Sequence, residues 1–195
     1  MKKLWMATLT CLVSAIANMG WASEKVTRIE AESITVLISD KAGMTEKSDS
    51  QQRILIDDLQ KIAGPLWRGQ LTYLDYSANV LRSIPSNLLV ARSAEDAMTW
   101  LWSYGYDDEP HANAKDGVRL SEDGRQLGKE MLLERRMSED GTLTIITAMA
   151  GQDNNRAAQF RFTYTVTATS FVRQKEVKLD SGGDFFVRHT YSWKR

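Results

Sequence analysis

From Leu66 to Arg195 the chain alternates between runs rich in Thr, Val, Tyr, Phe and Trp and short clusters of turn residues, and this rhythm restricts the fold more than any other feature. Runs near 66–76, 80–92, 97–106, 117–121, 125–130, 131–138, 142–150, 156–168, 170–179 and 184–195 read as strands. The separators are turn chemistry, including Ser77-Ala78-Asn79, Asp123-Gly124, Asp140-Gly141, Asp153-Asn154-Asn155 and Asp180-Ser181-Gly182-Gly183. Asp-Gly between two such runs favours a tight hairpin, because both residues tolerate the positive φ that the turn needs. Short connections join antiparallel neighbours, whereas a parallel pair needs a crossover long enough for a helix. A long meander manages its edges best by closing on itself. The expectation is a mainly β fold, an up-and-down antiparallel barrel of about ten strands.

One amphipathic helix is predicted before the barrel, over residues 48–63. Ser48 and Gln51 have capping-box spacing, and Leu55, Leu59 and Ile62 form a stripe flanked by Ile56 and Ala63. Asp57, Asp58 and Lys61 are assigned to the solvent face, and Gly64-Pro65 stops the helix. Upstream, Ser33 to Ser39 has β-branched character and reads as one strand.

The amino terminus is a separate object. Lys2 and Lys3 precede an apolar run from Leu4 to Ala17, and Gly20-Trp21-Ala22 supplies small residues for a signal peptidase. Residues 1–22 are therefore expected to be a secretory signal, too short for a stable membrane span, with cleavage after Ala22. Cleavage removes two lysines and Cys11, the only cysteine, so the mature chain is expected to have neither thiol catalysis nor a Cys-ligated metal. The domains expected are the signal at 1–22, a segment at 23–63 holding the helix, and the barrel at 64–195. The location expected is the periplasm or the exterior. Lys plus Arg equals Asp plus Glu at 25 each, so no nucleic-acid surface is indicated.

Candidate site residues emerge from the period of two. Met98, Trp100, Trp102, Tyr104 and Tyr106 share one strand face, either lining a ligand cavity or filling the core. His189, Tyr191, Trp193 and Arg195 share a face on the last strand with Phe185 and Val187. The segment 107–116, with Asp107, Asp108, Glu109 and His111, is the longest connection and a candidate lip. Asp75 and Glu134 are the acids that fall within predicted strands. No Gly-x-Ser-x-Gly, His-Glu-x-x-His or P-loop pattern occurs, which leaves catalysis without a motif.

Gly64-Pro65-Leu66-Trp67-Arg68-Gly69 at the first strand, and Arg188-His189-Thr190-Tyr191-Ser192-Trp193-Lys194-Arg195 at the last, resemble the calycin superfamily, the lipocalins and fatty-acid-binding proteins. The Trp-x-Gly-x-Leu-x-Tyr strand from Trp67 to Tyr73 is closest in texture to uncharacterised bacterial lipocalin-like proteins. Two residues, not the lipocalin one, separate Gly64 from Trp67. The resemblance implies barrel closure by Trp67 under an arginine of the last strand, Arg188 or Arg195. Trp67-Arg68-Gly69 is also similar to the start of nitrobindin-like haem barrels, which place a haem-ligating histidine late in the chain.

The function expected is that of a periplasmic lipocalin-like protein that binds a small, largely apolar ligand and does no chemistry. Trp100, Trp102, Tyr104, Tyr106, His189 and Tyr191 are the expected ligand contacts. No metal site is expected, and the cofactor is left open. The alternatives are a haem-binding barrel, an enzyme on the same fold, and a filled structural barrel of the cell envelope.

Overall fold

The computed structural model of the protein describes residues 52–195. The expected signal 1–22, the candidate strand 33–39, and Ser48 and Gln51 lie outside those residues. Helix α1 spans Ile56–Ile62 and is shorter than predicted. Its start is fixed by tertiary contact. Ile54 is buried and donates its amide to the Gly124 carbonyl at 2.8 Å, which keeps the chain extended up to Leu55. Asp58 Oδ2 then accepts the Leu55 amide at 2.8 Å and serves the first turn. Leu59 and Ile62 are buried as their spacing implies, but so is Asp58, which the helical period assigns to solvent. Gly64, at φ +117°, ends the helix in a conformation that a side chain would strain.

Ten antiparallel strands follow: β1 (Trp67–Asp75), β2 (Val80–Arg92), β3 (Thr99–Gly105), β4 (Ala114–Arg119), β5 (Gln126–Leu127), β6 (Glu130–Met137), β7 (Leu143–Asp153), β8 (Arg156–Val166), β9 (Ser170–Leu179) and β10 (Phe186–Lys194). The sheet order is β4-β3-β2-β1-β10-β9-β8-β7-β6-β5, in which every neighbour is a sequence neighbour except the pairing of first and last. That pairing runs from Arg68↔Lys194 to Tyr73↔His189. Between β4 and β5 the sheet is joined by the bridge Leu120↔Leu127 and by the Gly128 amide to the Arg119 carbonyl at 2.7 Å. The result is a nearly closed up-and-down barrel of ten strands with the helix before it. Its β4 begins earlier than predicted, because Ala114 pairs with Tyr104.

The barrel axis has two unlike ends. At the helix end, Trp67, Leu88, Trp100, Leu143, Val166, Phe171 and Trp193 are buried with Leu59 and Ile62 in one core. Gly69 belongs to this end because a Cβ there would lie 1.9 Å from the Ser192 carbonyl oxygen, so β1 and β10 approach closely only at a glycine. The opposite end carries Asp75, Tyr106, Asp153 and His189, and it is the end where charge enters the interior.

Candidate functional site

Alternation along the strands decides what faces inward. On β3 and just past its end, Trp100, Trp102 and Tyr106 are buried while Leu101 is 46% exposed, so the even face looks into the barrel. On β9, Phe171 and Val177 are buried, and Arg173 and Lys175 stand between them on the same face. On β10 the alternation breaks. A bulge between Val187 and His189 adds one residue, so Arg188 and His189 both line the interior. Val187, predicted to share the face of His189, is 45% exposed as a consequence, and Phe186 packs against the core instead.

These inward residues line an open-mouthed pocket of about 390 Å³ at the end opposite the helix. Leu71 and Ile84 form its apolar wall, and Tyr73, Tyr106, Asp153, Lys175, Arg188 and His189 supply its polar groups. Glu109 and Ala112 contribute from the connection between β3 and β4, which places part of the predicted lip at the mouth. Ala112 ends a single 3-10 turn, Pro110–Ala112, and the Asn113 side chain accepts the Tyr106 amide at 2.8 Å, which ties the connection down.

The pocket's electrostatics are set by three cations and two engaged carboxylates. Asp153 accepts the Tyr76 hydroxyl at 2.6 Å and sits 3.4 Å from Arg188, whose guanidinium also donates to the Leu74 carbonyl and covers the Tyr76 ring at 4.2 Å. One layer deeper, Glu130 is buried and accepts from Thr147, from Tyr164 at 2.7 Å and from Arg173 at 3.2 Å. Among the described residues no carboxylate pairs with Lys175. Its Nζ lies 3.6 Å from the Phe160 ring centroid, and burial lowers its pKa. His189 is its direct register partner on β10, packs edge-on to Tyr191 and keeps a buried Nε2 with no hydrogen-bond partner. Burial, with Arg173, Lys175 and Arg188 nearby, lowers the His189 pKa to about 3, so the imidazole is neutral. Burial and the hydrogen bond to Tyr106 likewise push the Tyr191 phenol up.

The six expected ligand contacts separate on this geometry. Tyr106 and His189 line the pocket. Tyr191 bridges pocket and core, its hydroxyl 2.7 Å from that of Tyr106 and its ring stacked on Trp193 at 4.7 Å. Tyr104 packs between Tyr191 and Trp102. Trp102 is sealed by Tyr104, Tyr164 and Phe171 and does not reach the pocket. Trp100 lies at the helix end, beside Ala63, Gly64 and Arg92. The aromatic face of β3 is therefore core, and it meets the site only at Tyr106, the residue just past the strand.

The closure residues separate too. Arg195 places its Cζ 4.3 Å from the Trp67 ring centroid, while Trp67 donates its indole N–H to the Ile62 carbonyl at 2.7 Å. Arg188 is not a closure residue; it belongs to the pocket at the other end. Asp75, a strand acid by sequence, serves its own turn by accepting from Ser77 and Arg82. Among the described residues the buried acids are Asp58, Glu130 and Asp153. Among the described residues no cluster of three His, Cys, Asp or Glu side chains is disposed to hold a metal ion. No described helix is long and apolar enough to cross a membrane.

Sequence reasoning missed Lys175 and Asp153 and assigned Arg188 to barrel closure instead of the pocket. Period-two reading of 170–179 would have found Lys175, since Phe171, Arg173, Lys175 and Val177 alternate with Val172, Gln174, Glu176 and Lys178. No local signal marks the bulge that brings Arg188 inward.

No family model and no curated protein matches this sequence. Among solved structures the chain is similar to a protein of unknown function of the DUF3598 family from Nostoc punctiforme, at a TM-score of 0.38 and 12% identity. The likeness covers 78% of this chain and 53% of that one, so the chain spans about half the length of the solved structure it matches.

Proposed function

We propose that this protein is an exported, calycin-like carrier barrel that holds one small amphipathic molecule in the pocket opposite the helix and does not turn it over. The observation that carries the reading is the pocket itself. Its volume of about 390 Å³ falls in the range of small-molecule sites, and it joins an apolar wall, Leu71 and Ile84, to a few convergent polar groups. This modifies the sequence expectation of a largely apolar ligand. Lys175, Arg188 and His189 at one side favour a ligand with an oxygen-bearing head, its apolar body against Leu71 and Ile84. The haem alternative has less support, because His189 stands edge-on to Tyr191 and its unpartnered Nε2 is buried rather than open to the pocket.

The test is native mass spectrometry of the protein purified from the compartment to which it is exported, together with an Ile84→Trp variant that narrows the pocket. A co-purified small molecule that Ile84→Trp loses, with the melting temperature retained, is the expected result. An empty barrel that also shows no thermal shift with amphipathic alcohols or carboxylic acids would overturn the reading in favour of a structural barrel.

A further inference from the structure

We propose that Lys175 captures a small aldehyde or ketone in the pocket as a reversible imine. This rests on the pocket being a ligand site and goes further by naming the ligand's reactive group. Three features of the geometry converge on the amine. Lys175 lines the pocket, so a carbonyl compound seated against Leu71 and Ile84 reaches it. Its Nζ is held over the Phe160 ring, with Phe162 also within 6.0 Å, which fixes the nitrogen in place against the pocket wall. Asp153 pairs with Arg188 and Glu130 with Arg173, so although both acids favour the ammonium ion through space, neither forms an ion pair with Lys175, and burial still lowers its pKa.

Two neighbouring cations disfavour the ammonium form. Arg173 is two residues away on the same face of β9, and Arg188 lines the same pocket. Burial beside other cations is the arrangement that turns a lysine into a nucleophile at neutral pH. Glu109 at the mouth is the remaining carboxylate of the pocket lining.

The chemistry balances without an oxidant or reductant. The Nζ lone pair attacks the carbonyl carbon, and a proton passes from nitrogen to the former carbonyl oxygen to give a carbinolamine. That hydroxyl then leaves with a proton as water while the C=N bond forms. Water at the open mouth of the pocket takes and returns the proton, while neutral His189, the register partner of Lys175, adds no competing charge beside the amine. The open mouth lets water leave, and hydrolysis by the reverse path releases the carbonyl compound intact, in keeping with a carrier.

The experiment uses the full protein, one equivalent of hexanal and cyanoborohydride at neutral pH, followed by intact mass measurement and peptide mapping. The expected result is one hexyl group per chain, mapped mainly to Lys175 rather than to Lys61, Lys115, Lys129, Lys178 or Lys194. Lys175→Arg, which keeps the charge, is expected to abolish that adduct with the melting temperature retained. A parallel titration with hexan-1-ol, which has no carbonyl group, separates the two claims. Hexanol binding without preferential labelling of Lys175 overturns the imine and leaves the carrier reading standing. Neither binding nor preferential labelling overturns both.

Discussion

Asp58 of α1 and Arg135 of β6, 77 residues apart in sequence, form a buried two-pronged ion pair with Nε–Oδ2 and Nη2–Oδ1 distances both 2.7 Å. It fastens the helix to the barrel, and the same carboxylate accepts the Leu55 amide that starts the helix. Both residues are under 10% exposed, so removing the carboxylate takes the two-pronged acceptor away from a buried guanidinium. Asp58→Ala is expected to cost about 3–5 kcal/mol in urea denaturation. The double variant Asp58→Leu with Arg135→Met is expected to recover most of that loss, because matched apolar groups replace the pair. Equal losses in single and double variants would show that the pair is not what holds the helix.

Trp102 separates core from site. Its indole is surrounded by Tyr104, Tyr164 and Phe171 and does not line the pocket. Trp102→Ala is expected to lower stability by about 3–5 kcal/mol, the range for truncating a buried aromatic. At temperatures where that variant remains folded, hexanol affinity is expected to stay within twofold of the parent. A loss of binding with stability unchanged would assign Trp102 to the ligand after all.

Trp67 and Arg195 contribute unequally to the helix end. Trp67 is fully buried and bonded to the Ile62 carbonyl, whereas Arg195 is exposed and covers its ring. Trp67→Ala is expected to cost about 3–5 kcal/mol, and Arg195→Ala only about 0.5–1 kcal/mol, as for an exposed cation over a ring. Thermal unfolding of the two variants side by side checks the ranking.

His189 makes stability depend on acid. Its pKa falls from 6.5 to about 3 in the fold, chiefly through burial and then through Arg173, Lys175 and Arg188. Between those values the unfolded chain binds a proton that the folded chain does not, so stability is full above pH 6.5 and is lost as pH falls toward 3. The slope reaches at most about 1.4 kcal/mol per pH unit for one group. His189→Gln is expected to flatten this part of the profile relative to the parent, measured by urea midpoints from about pH 7 to about pH 4. Parallel profiles would show that the imidazole takes up its proton without unfolding.

The amino terminus is tested by export. The sequence expectation is cleavage after Ala22, leaving Ser23 as the first residue. Edman sequencing of protein recovered from outside the cytoplasm reads this directly, and a chain that still begins at Met1 would remove the basis for an exported carrier.

Much of the barrel is written locally. A strand's inward face repeats every two residues and a hairpin is set by the few residues of its turn, so ten strands and their order are legible without knowing any distant contact. The same period puts Trp100, Trp102 and Tyr106 correctly on one face of β3, the face that looks inside. It does not say which inward residues meet side chains and which meet space, because that depends on what arrives from across the barrel. Phe171 and Tyr164, far along the chain, seal Trp102, whereas Lys175 and His189 have Phe160 and Tyr191 against one side only and still face the pocket.

Fold class, strand order, the shared face of β3 and the stop of the helix at Gly64 all come from periodicity or backbone preference within a few residues, and so could be read from the chain alone. Contacts between distant segments settle the rest: that α1 begins at Ile56, that Asp58 is buried against Arg135, and that Arg188 serves the pocket rather than Trp67. The first depends on the hydrogen bond between Ile54 and Gly124, the second on an ion pair spanning 77 residues, and the third on a bulge that shifts one strand by one residue. Closing the barrel sets all three, since closure alone brings distant charges into the same low-dielectric interior, where each must find a partner or change its proton affinity.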